Sequence, residues 1–265
     1  MFDIHATKWA TYPEASEREF VERVAAAGAD GVGLLGWRDA DIDALLAACD
    51  EHGIEWTSTA AGGAAGNGGD ADAPSVTDPE CHDDAVAAIE ETCETVGEHV
   101  DRVIVTVGPD RQGLERATQT TAIVSVLRAA APAAAEADVT LVVEPLNARV
   151  DHPGYFLRTV DHGVEVVEAV DHPNVDLLFD VYHQQVTEGD LISRVETVAE
   201  YVGMYHVADV PGRHELGTGE VNWANVFAAI ADTGYEGSVG LEYVPEADTG
   251  ETIEHAVSLR DDCYE

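Results

Sequence analysis

Four ionisable side chains in the second half of the chain each stand at the end of a short, mainly apolar run. They are Glu144, Asp180, His206 and Glu242. Such a group is costly to bury unless it is paired or binds a metal. A single one would more often cap a helix or lie in a loop, but four at corresponding positions predict one shared site. Three carboxylates and one imidazole suit Mn²⁺ or Mg²⁺, with Co²⁺ as a further candidate.

A site of this kind indicates a particular chemistry. A divalent ion with open coordination positions can bind the two adjacent oxygens of an α-hydroxycarbonyl compound, which acidifies the C–H between them and stabilises an enediolate. If Glu144 and Glu242 face each other across the site, they can remove that proton and return it. The pattern therefore predicts metal-dependent proton transfer on a small hydroxycarbonyl substrate, with these two glutamates as acid and base.

Two further side chains are candidates for substrate contacts. His183 follows Asp180 by three residues and can hydrogen-bond a substrate oxygen, with helix capping or support of a neighbour as the alternative. Arg213 lies in a Gly- and Pro-rich stretch, residues 208–223, and is one of only 13 basic residues. Its guanidinium is a fixed, bidentate partner for an anion or for hydroxyl groups, and the alternative is a surface salt bridge.

Eight short apolar runs alternate with stretches of helical periodicity along the whole chain. The predicted strands are residues 2–6, 31–35, 55–59, 102–107, 139–144, 175–181, 203–209 and 238–243. The predicted helices are residues 16–27, 39–51, 78–98, 114–137, 155–170, 187–201, 223–233 and 251–261. Runs such as 139–143 and 175–179 are almost continuously apolar, which is typical of parallel strands buried on both faces.

These repeats favour an α/β fold, a single (β/α)8 TIM barrel over residues 1–265, since no Pro- or Ser-rich linker divides the chain and such barrels use ~250 residues. An open doubly wound sheet is the alternative. In a barrel, active-site residues lie at the carboxyl ends of the strands, where the four ionisable residues would converge. The Gly-rich residues 60–73 would lie on the same face, either as a flexible insertion or as a lid over the substrate.

The charge of the chain disfavours several functions. There are 52 acidic and 13 basic residues, a formal net charge of −39, and the lysine at position 8 is unique. Phosphate backbones and anionic lipid surfaces would repel such a chain, so we expect no nucleic-acid or membrane partner. The acids are spread along the sequence rather than gathered in one tail. This favours a halophilic protein whose self-repulsion is screened at molar salt, where the Debye length is about 3 Å.

Other features predict no additional chemistry. Residues 31–36 match G-x-G-x-x-G but lie within a predicted strand rather than between a strand and a helix, so we interpret them as structural rather than as a dinucleotide site. The four cysteines form no Cys-x-x-Cys pair, which indicates reduced thiols. Residues 1–12 lack a basic region followed by an apolar one, and no stretch approaches about 18 apolar residues, so we expect a cytoplasmic protein. The sequence also allows a homo-oligomer.

Five short motifs in the second half of the chain belong together. They are Glu-Pro-Leu-Asn at 144–147, Gly-Tyr-Phe-Leu at 154–157, Phe-Asp-Val-Tyr-His-Gln-Gln at 179–185, Ala-Asp-Val-Pro-Gly-Arg-His-Glu at 208–215 and Gly-Thr-Gly-Glu at 217–220. These motifs resemble the hydroxypyruvate isomerase family. That family belongs to the xylose-isomerase-like TIM barrels (sugar phosphate isomerases and epimerases), together with the ketose 3-epimerases. The resemblance is specific over about residues 139–243 and architectural before them.

The resemblance implies an isomerase of carbohydrate metabolism with a metal held by the four ionisable residues, acid–base roles for Glu144 and Glu242, and substrate contacts from His183 and Arg213. Hydroxypyruvate isomerases usually have Gln where this chain has His206, whereas the epimerases have His. A reaction of the D-tagatose 3-epimerase type is therefore the nearest alternative to the hydroxypyruvate–tartronate semialdehyde reaction. An endonuclease IV-like enzyme would need more histidine ligands and a basic face, and a non-catalytic binding barrel is the remaining alternative.

Overall fold

Eight parallel strands close into a barrel in the order in which they occur along the chain. The computed structural model describes residues 1–63 and 75–264. Its strands are β1 (Asp3–Thr7), β2 (Gly31–Gly33), β3 (Glu55–Ala60), β4 (Arg102–Val105), β5 (Thr140–Val143), β6 (Val175–Asp180), β7 (Val202–Val207) and β8 (Ser238–Leu241). The barrel closes where β1 pairs with β8, with Ile4 opposite Val239. The predicted TIM barrel is therefore confirmed, and the open doubly wound sheet is wrong.

Ten α-helices accompany the strands in the described part of the chain. They are α1 (Lys8–Thr11), α2 (Glu17–Ala26), α3 (Ile42–His52), α4 (His82–Val96), α5 (Arg116–Glu136), α6 (Val160–Val170), α7 (Val181–Thr187), α8 (Leu191–Val198), α9 (Trp223–Asp232) and α10 (Thr249–Asp262). Single turns of 3₁₀-helix occur at Ala61–Gly63, Pro79–Cys81, Gly97–His99 and Ala199–Tyr201. Over the described residues, none of the helices has the length and apolar character needed to span a membrane.

Local sequence signals explain where helices begin and end. α2 begins after Ser16, whose hydroxyl accepts a hydrogen bond from the Glu19 N–H. α3 begins after Asp41, whose carboxylate accepts from the Ala44 N–H. Such caps satisfy backbone donors that have no partner in the first helical turn. α3 ends before Gly53, which has the left-handed conformation (φ 68°) typical of a helix C-cap.

The sequence does not predict α1 and α7, and it places some boundaries wrongly. The sixth predicted strand is too long, because β6 ends at Asp180. The Asp180 carboxylate accepts a hydrogen bond from the His183 N–H at 2.8 Å and so caps α7. The helix predicted over residues 187–201 is accordingly shorter and corresponds to α8. The helix predicted over residues 155–170 begins only after Thr159, which caps α6.

The Gly-rich motif at residues 31–36 lies partly inside β2, as its structural interpretation requires. A Cβ atom at Gly31 would lie 2.8 Å from Thr57 Cγ2, and one at Gly33 would lie 3.1 Å from Ser58 Oγ. These glycines therefore leave room inside the barrel for side chains of the neighbouring strands. Residues 60–73, predicted as an insertion or a lid, fall outside the described residues from position 64 onward.

The apolar side chains form two separate cores. The larger core lies between the strands and the surrounding helices and includes Phe20, Leu45 and Ile123. The smaller core lies inside the barrel and takes one residue from each of β4 to β7. Its members are Ile104, Val142, Leu178 and Met204. This inner core occupies the barrel below the carboxyl ends of β5 to β7.

Candidate metal centre

The four ionisable residues converge at the carboxyl ends of β5 to β8. Asp180 is the last residue of β6 and pairs with His206 in β7. Glu144 and Glu242 directly follow β5 and β8. Each side chain offers one potential ligand atom, and these atoms all lie within 4.8 Å of one another. All four residues are buried, the most exposed of them, Glu144, at 6%. The structure thus brings together every predicted metal ligand.

The chemistry of these donors fits a divalent cation. His206 Nδ1 lies 3.1 Å from Glu242 Oε2 and 3.7 Å from Glu144 Oε1, yet neither ring nitrogen of His206 has a hydrogen-bond partner in the described structure. A buried imidazole nitrogen among carboxylate oxygens is costly unless a proton or a metal ion joins them. Three carboxylates and one neutral imidazole could hold such an ion with positions left for substrate oxygens.

The pKa values at the cluster reflect crowded, buried charges. Burial raises the pKa of Asp180 to about 7. The charge of Arg213 opposes this shift, and the carboxylates of Glu144 and Glu242 add to it. Burial opposes the charged form of His206, but Glu242 and Glu144 outweigh it and raise the pKa of His206 to about 10. For Glu242, burial is outweighed by His206 and Arg213, which hold the pKa of this carboxyl well below its usual range. The cluster therefore favours added positive charge, which a divalent ion would supply.

Arg213 lies in the site rather than at the surface. Its guanidinium contacts the Glu242 carboxylate and lies 3.6 Å from Asp180 Oδ2. The rings of Trp9 and Tyr182 flank it, with centroids at 5.4 and 5.2 Å. Because Arg213 is only 8% exposed, the alternative of a surface salt bridge is wrong. Its charge is shared by two candidate metal ligands, so a bound anion would have to share it with them.

A buried aspartate holds the loop that presents Arg213. The carboxylate of Asp209 accepts hydrogen bonds at 2.8–3.2 Å from Val210, Gly217, Val221 and Trp223. Glu215 in the same loop accepts from the N–H groups of Glu246 and Ala247 at 2.9 and 3.0 Å, which ties the loop to the segment after β8. These bonds fix a Gly- and Pro-rich stretch that would otherwise be free to move.

The position of the proton on His183 follows from its partner. The backbone N–H of Asn147 donates to His183 Nδ1 at 3.2 Å, so Nδ1 carries the lone pair and Nε2 carries the hydrogen of the neutral ring. Burial, followed by the charge of Arg213, lowers the pKa of His183 well below its usual value. The Nε2 atom has no hydrogen-bond partner among the described residues and lies 3.6 Å from Asp180 Oδ2. His183 therefore offers a fixed donor beside the cluster.

The sequence does not predict several residues that support the site. Trp9 donates its indole N–H to Glu242 Oε1 at 2.9 Å. Asp151 accepts from the Asn147 side chain at 2.6 Å and from the Tyr182 hydroxyl at 2.9 Å. Asn147 and Tyr182 lie within the recognised motifs, which could have indicated them. Trp9 carries no such signal, because only the pairing of β1 with β8 brings it to Glu242.

Comparison with known proteins agrees with this fold. Residues 21–260 match the family model described as xylose isomerase-like TIM barrel. The hydroxypyruvate isomerase of Escherichia coli (strain K12) is 31% identical over 231 residues, which cover 86% of this chain and 88% of that protein. The 2-oxo-tetronate isomerase of Cupriavidus necator is 38% identical over 149 residues, which cover 56% of this chain and 57% of that protein. The chain therefore belongs to the xylose isomerase-like TIM barrel family, and the resemblance to its hydroxypyruvate isomerases is confirmed.

The matches differ in coverage and in sequence identity. For several curated relatives, the chain spans only about half of their length. A crystal structure described as AP endonuclease, family 2, from Brucella melitensis has a TM-score of 0.83 at 26% identity, over 97% of this chain and 99% of that one. The D-psicose 3-epimerase of Clostridium cellulolyticum H10, solved with D-tagatose, has a TM-score of 0.82 at 20% identity over the full length of both chains, which shows a shared fold.

Proposed function

We propose that the protein is a metal-dependent isomerase that interconverts an α-hydroxyketone and its aldehyde partner through an enediolate. The substrate pair would be of the hydroxypyruvate and tartronate semialdehyde type. The observation that carries this proposal is the buried cluster, in which Glu144 and Glu242 both contact the imidazole of His206. The names of the relatives, hydroxypyruvate isomerase and 2-oxo-tetronate isomerase, support the substrate class.

The proposed cofactor is one divalent ion, Mn²⁺ or Mg²⁺, with Co²⁺ as a further candidate. Its ligands would be Glu144, Asp180, His206 and Glu242. When bound, the ion would draw electron density from two adjacent substrate oxygens and so acidify the C–H between them. The imidazole would bind through Nδ1, since this nitrogen faces the glutamates.

Glu144 and Glu242 are the proposed acid–base pair. Glu242 is held as a carboxylate by the indole of Trp9 and the guanidinium of Arg213, which fix its orientation. Glu144 contacts the same imidazole from β5, 3.7 Å from Nδ1. One carboxylate removes the proton from the hydroxyl-bearing carbon, and a carboxylate of the pair returns a proton to the neighbouring carbon, as a positioned general base and acid would do. The hydroxyl hydrogen passes from the first oxygen to the second, so the hydroxyl becomes the aldehyde and the ketone becomes the hydroxyl.

His183 and Arg213 are the proposed substrate contacts. The Nε2–H of His183 is a buried donor without a partner in the described structure, so a substrate oxygen beside Asp180 would satisfy it. The guanidinium of Arg213 lies between the rings of Trp9 and Tyr182 and could take the carboxylate of a small keto acid. A fixed donor and a fixed cation would together orient the reacting carbons toward the two glutamates.

A ketose 3-epimerase is the second candidate, and His206 is the observation that favours it, because the epimerases carry His at this position. An epimerase would use the same two glutamates on opposite faces of one carbon. A nucleic-acid enzyme is disfavoured, even though a structure described as an AP endonuclease shares the fold. The cluster in the described part of the chain contains one histidine, and the net charge of −39 would repel a phosphate backbone.

A substrate screen tests the proposal. Metal-free protein is assayed with hydroxypyruvate and with a set of free ketoses, with and without Mn²⁺. We expect Mn²⁺-dependent turnover that is fastest on hydroxypyruvate. Faster epimerisation of a ketose would favour the second candidate, and no metal-dependent turnover of either type would contradict both. As a control for the site, Asp180→Ala should lose tight binding of one ion per chain and the rise in Tm that Mn²⁺ gives the wild type.

We further propose that the protein works in a salt-rich cytoplasm. With 52 acidic and 13 basic residues, self-repulsion in dilute buffer should oppose the compact fold, and molar salt should screen it. Circular dichroism should therefore show loss of helix at about 50 mM KCl and recovery at molar KCl, where the Debye length falls to about 3 Å. Full helicity and activity at the lower concentration would contradict a halophilic protein.

A further inference from the structure

A second buried histidine lies beside the cluster, and the proposed function does not use it. His5 in β1 is fully buried. Its Nδ1 lies 3.1 Å from Thr57 Oγ1, and the Thr57 hydroxyl also lies 3.2 Å from the carbonyl oxygen of Val32, to which it can only donate. Since the hydroxyl has one hydrogen, it must accept the hydrogen bond from His5 Nδ1–H. Nε2 of His5 therefore carries a lone pair, and it has no hydrogen-bond partner among the described residues.

His206 presents the complementary group. If Nδ1 of His206 binds the metal, as its position between the two glutamates indicates, the neutral ring must carry its hydrogen on Nε2. This nitrogen is buried and also has no partner in the part of the chain that the structure describes. A buried N–H left unpaired costs free energy, and metal-binding histidines almost always donate their second nitrogen to an acceptor.

Glycine at position 240 places these two nitrogens next to each other. A Cβ atom on Gly240 would lie 2.5 Å from His5 Nε2 and 3.0 Å from His206 Nε2. The two rings meet edge to face, with their centroids 6.4 Å apart and an interplanar angle of 80°. Glycine puts no side chain at position 240, and the two distances place the nitrogens within about 5.5 Å of each other. A rotation of either ring that brings them to hydrogen-bond distance would pair the donor with the acceptor.

We propose that His5 is a positioning residue whose Nε2 accepts the Nε2–H of His206 and so fixes the tautomer and ring orientation in which His206 binds the metal. Thr57 in turn fixes the tautomer of His5, so that the chain Val32, Thr57, His5 and His206 runs from β2 across the barrel to the metal centre. This inference rests on the proposed metal site. It extends that site to the residues of β1 to β3 that face the barrel interior.

Two substitutions separate this role from simple packing. His5→Asn keeps an amide near Nδ1, where it can bond Thr57, but it is too short to reach His206. His5→Gln extends an amide toward the position of Nε2, where its oxygen can accept from His206. We expect His5→Asn to weaken Mn²⁺ binding about tenfold or more, in the range found for lost partners of metal-binding histidines, and His5→Gln to recover most of that loss.

The matched control is His162→Asn, a buried histidine on α6 outside the barrel, which should leave Mn²⁺ affinity unchanged. Affinity is measured by titration calorimetry and compared with the unfolding midpoint of each metal-free variant. A second readout is ¹⁵N NMR of Mg²⁺-loaded protein, in which the Nε2–H of His206 should be protected from exchange in wild type and His5→Gln and unprotected in His5→Asn.

The outcomes distinguish this inference from the proposed function. Wild type that binds no divalent ion would overturn the metal centre itself, and the inference with it. Wild type that binds the ion, together with a folded His5→Asn of equal affinity, would overturn only the role of His5. If His5→Asn does not fold, His5→Gln decides. Wild-type affinity with a protected His206 Nε2–H, or the loss of both together, supports the role. Wild-type affinity without that protected proton, or weakened binding with it, contradicts the role.

Discussion

The interior of the barrel has two unlike halves. The apolar half lies against β4 to β7 and consists of Ile104, Val142, Leu178 and Met204. The polar half lies against β8 and β1 to β3 and consists of His5, Thr57, Ser58, Gly31, Gly33 and Gly240. The candidate metal ligands span both halves, since three of them stand at the carboxyl ends of β5 to β7 and Glu242 follows β8.

The difference shows that two kinds of residue lie below the ligands inside the barrel. On β5 to β7 each ligand stands two residues after a member of the apolar half, as Asp180 stands after Leu178. Residues two apart share one face of a strand, so an apolar side chain lies below each of these ligands, excludes water and strengthens the electrostatic interactions above it. On β8 the residue below Glu242 is Gly240, and His5 fills the space. Only the polar half can therefore offer a hydrogen bond to the site from below.

The largest expected effect comes from the proposed acid–base pair, Glu144 and Glu242. Glu144→Gln and Glu242→Gln keep the size and one ligand oxygen but remove the base, so turnover should fall by ~10²–10⁴ in each. Because the two act as a unit, the double variant should be little worse than either single variant. The measurement is kcat with saturating Mn²⁺, and Glu246→Gln, an exposed glutamate after β8, should retain wild-type turnover.

Solvent isotope exchange sharpens that experiment. An enediolate route washes deuterium from D₂O into a carbon-bound position of the product, whereas a direct hydride shift leaves the product unlabelled. Labelled product from wild type and almost none from either Gln variant is the expected result. Unlabelled product from an active wild type would contradict proton transfer by the two glutamates, even with every metal ligand established.

The next prediction compares the stability that the apolar half and the polar half each contribute. Leu178→Ala removes a fully buried side chain from the apolar half and should lower the free energy of unfolding by about 2–5 kcal/mol. Gly240→Ala adds a methyl group 2.5 Å from His5 Nε2 and should cost about 1–3 kcal/mol through overpacking. Urea unfolding of the metal-free proteins measures both.

Leu178→Ala should cost more stability than Gly240→Ala, but Gly240→Ala should cost more Mn²⁺ affinity. Gly240→Ala places a methyl group 2.5 Å from His5 Nε2 and 2.6 Å from His206 Cδ2. Because it displaces both rings, it should weaken Mn²⁺ binding more than Leu178→Ala does. Equal losses of Mn²⁺ affinity would mean that both halves act only as packing below the ligands. The polar half would then make no specific contribution to metal binding.

The apolar half and the ligands above it follow directly from the sequence. The mainly apolar sequence of β5 is followed by Glu144 and that of β6 ends in Asp180. This pattern predicts both a buried parallel strand and a residue at its active-site end. The helix α7 escapes prediction because it starts within the same run, where Asp180 serves as a cap as well as a candidate ligand.

The polar half could not be predicted in the same way. His5 and Thr57 look like ordinary strand residues, and Gly240 looks like a weak point in β8, since each gains its role only from contacts across the barrel. Trp9 is a similar case, because it reaches Glu242 only through the closure of β1 on β8. Motifs within one stretch of chain reveal residues that share a loop, whereas contacts between distant strands require the closed barrel.

Arg213 gives an effect that depends on the substrate. Arg213→Ala removes the cation shared by Glu242 and Asp180, so part of the loss in kcat/KM should be common to all substrates. A small keto acid should lose more than a neutral ketose, because its carboxylate also loses a buried charged partner, at a total cost of about 2–5 kcal/mol. The ratio of the two kcat/KM values isolates the substrate contact. Equal losses on both substrate types would mean that Arg213 acts only on the ligands.

The smallest expected effect concerns the histidine that serves as a control outside the barrel. His162 differs from His5 and His206 because both of its nitrogens have partners, Arg116 at 2.8 Å and Thr120 Oγ1 at 3.0 Å. Arg116 can only donate, so Nδ1 of His162 accepts and the ring is neutral. Burial, followed by the charge of Arg116, lowers the pKa of His162 to about 4.

The sign of the pH effect follows from that pKa. The unfolded chain protonates this histidine near pH 6.5, whereas the folded chain does so only near pH 4. Between these values the unfolded state binds more protons, so this group makes the protein less stable as the pH falls. Metal-free wild type should lose about 1–2 kcal/mol of stability through this group between about pH 7 and pH 5. His162→Gln should abolish that part of the loss, measured by urea unfolding in molar KCl. His255→Gln, an exposed histidine on α10, should leave the loss unchanged. If His162→Gln also leaves the loss unchanged, burial and Arg116 do not hold the ring neutral, and His162 is not the fully hydrogen-bonded neutral histidine with which His5 is compared.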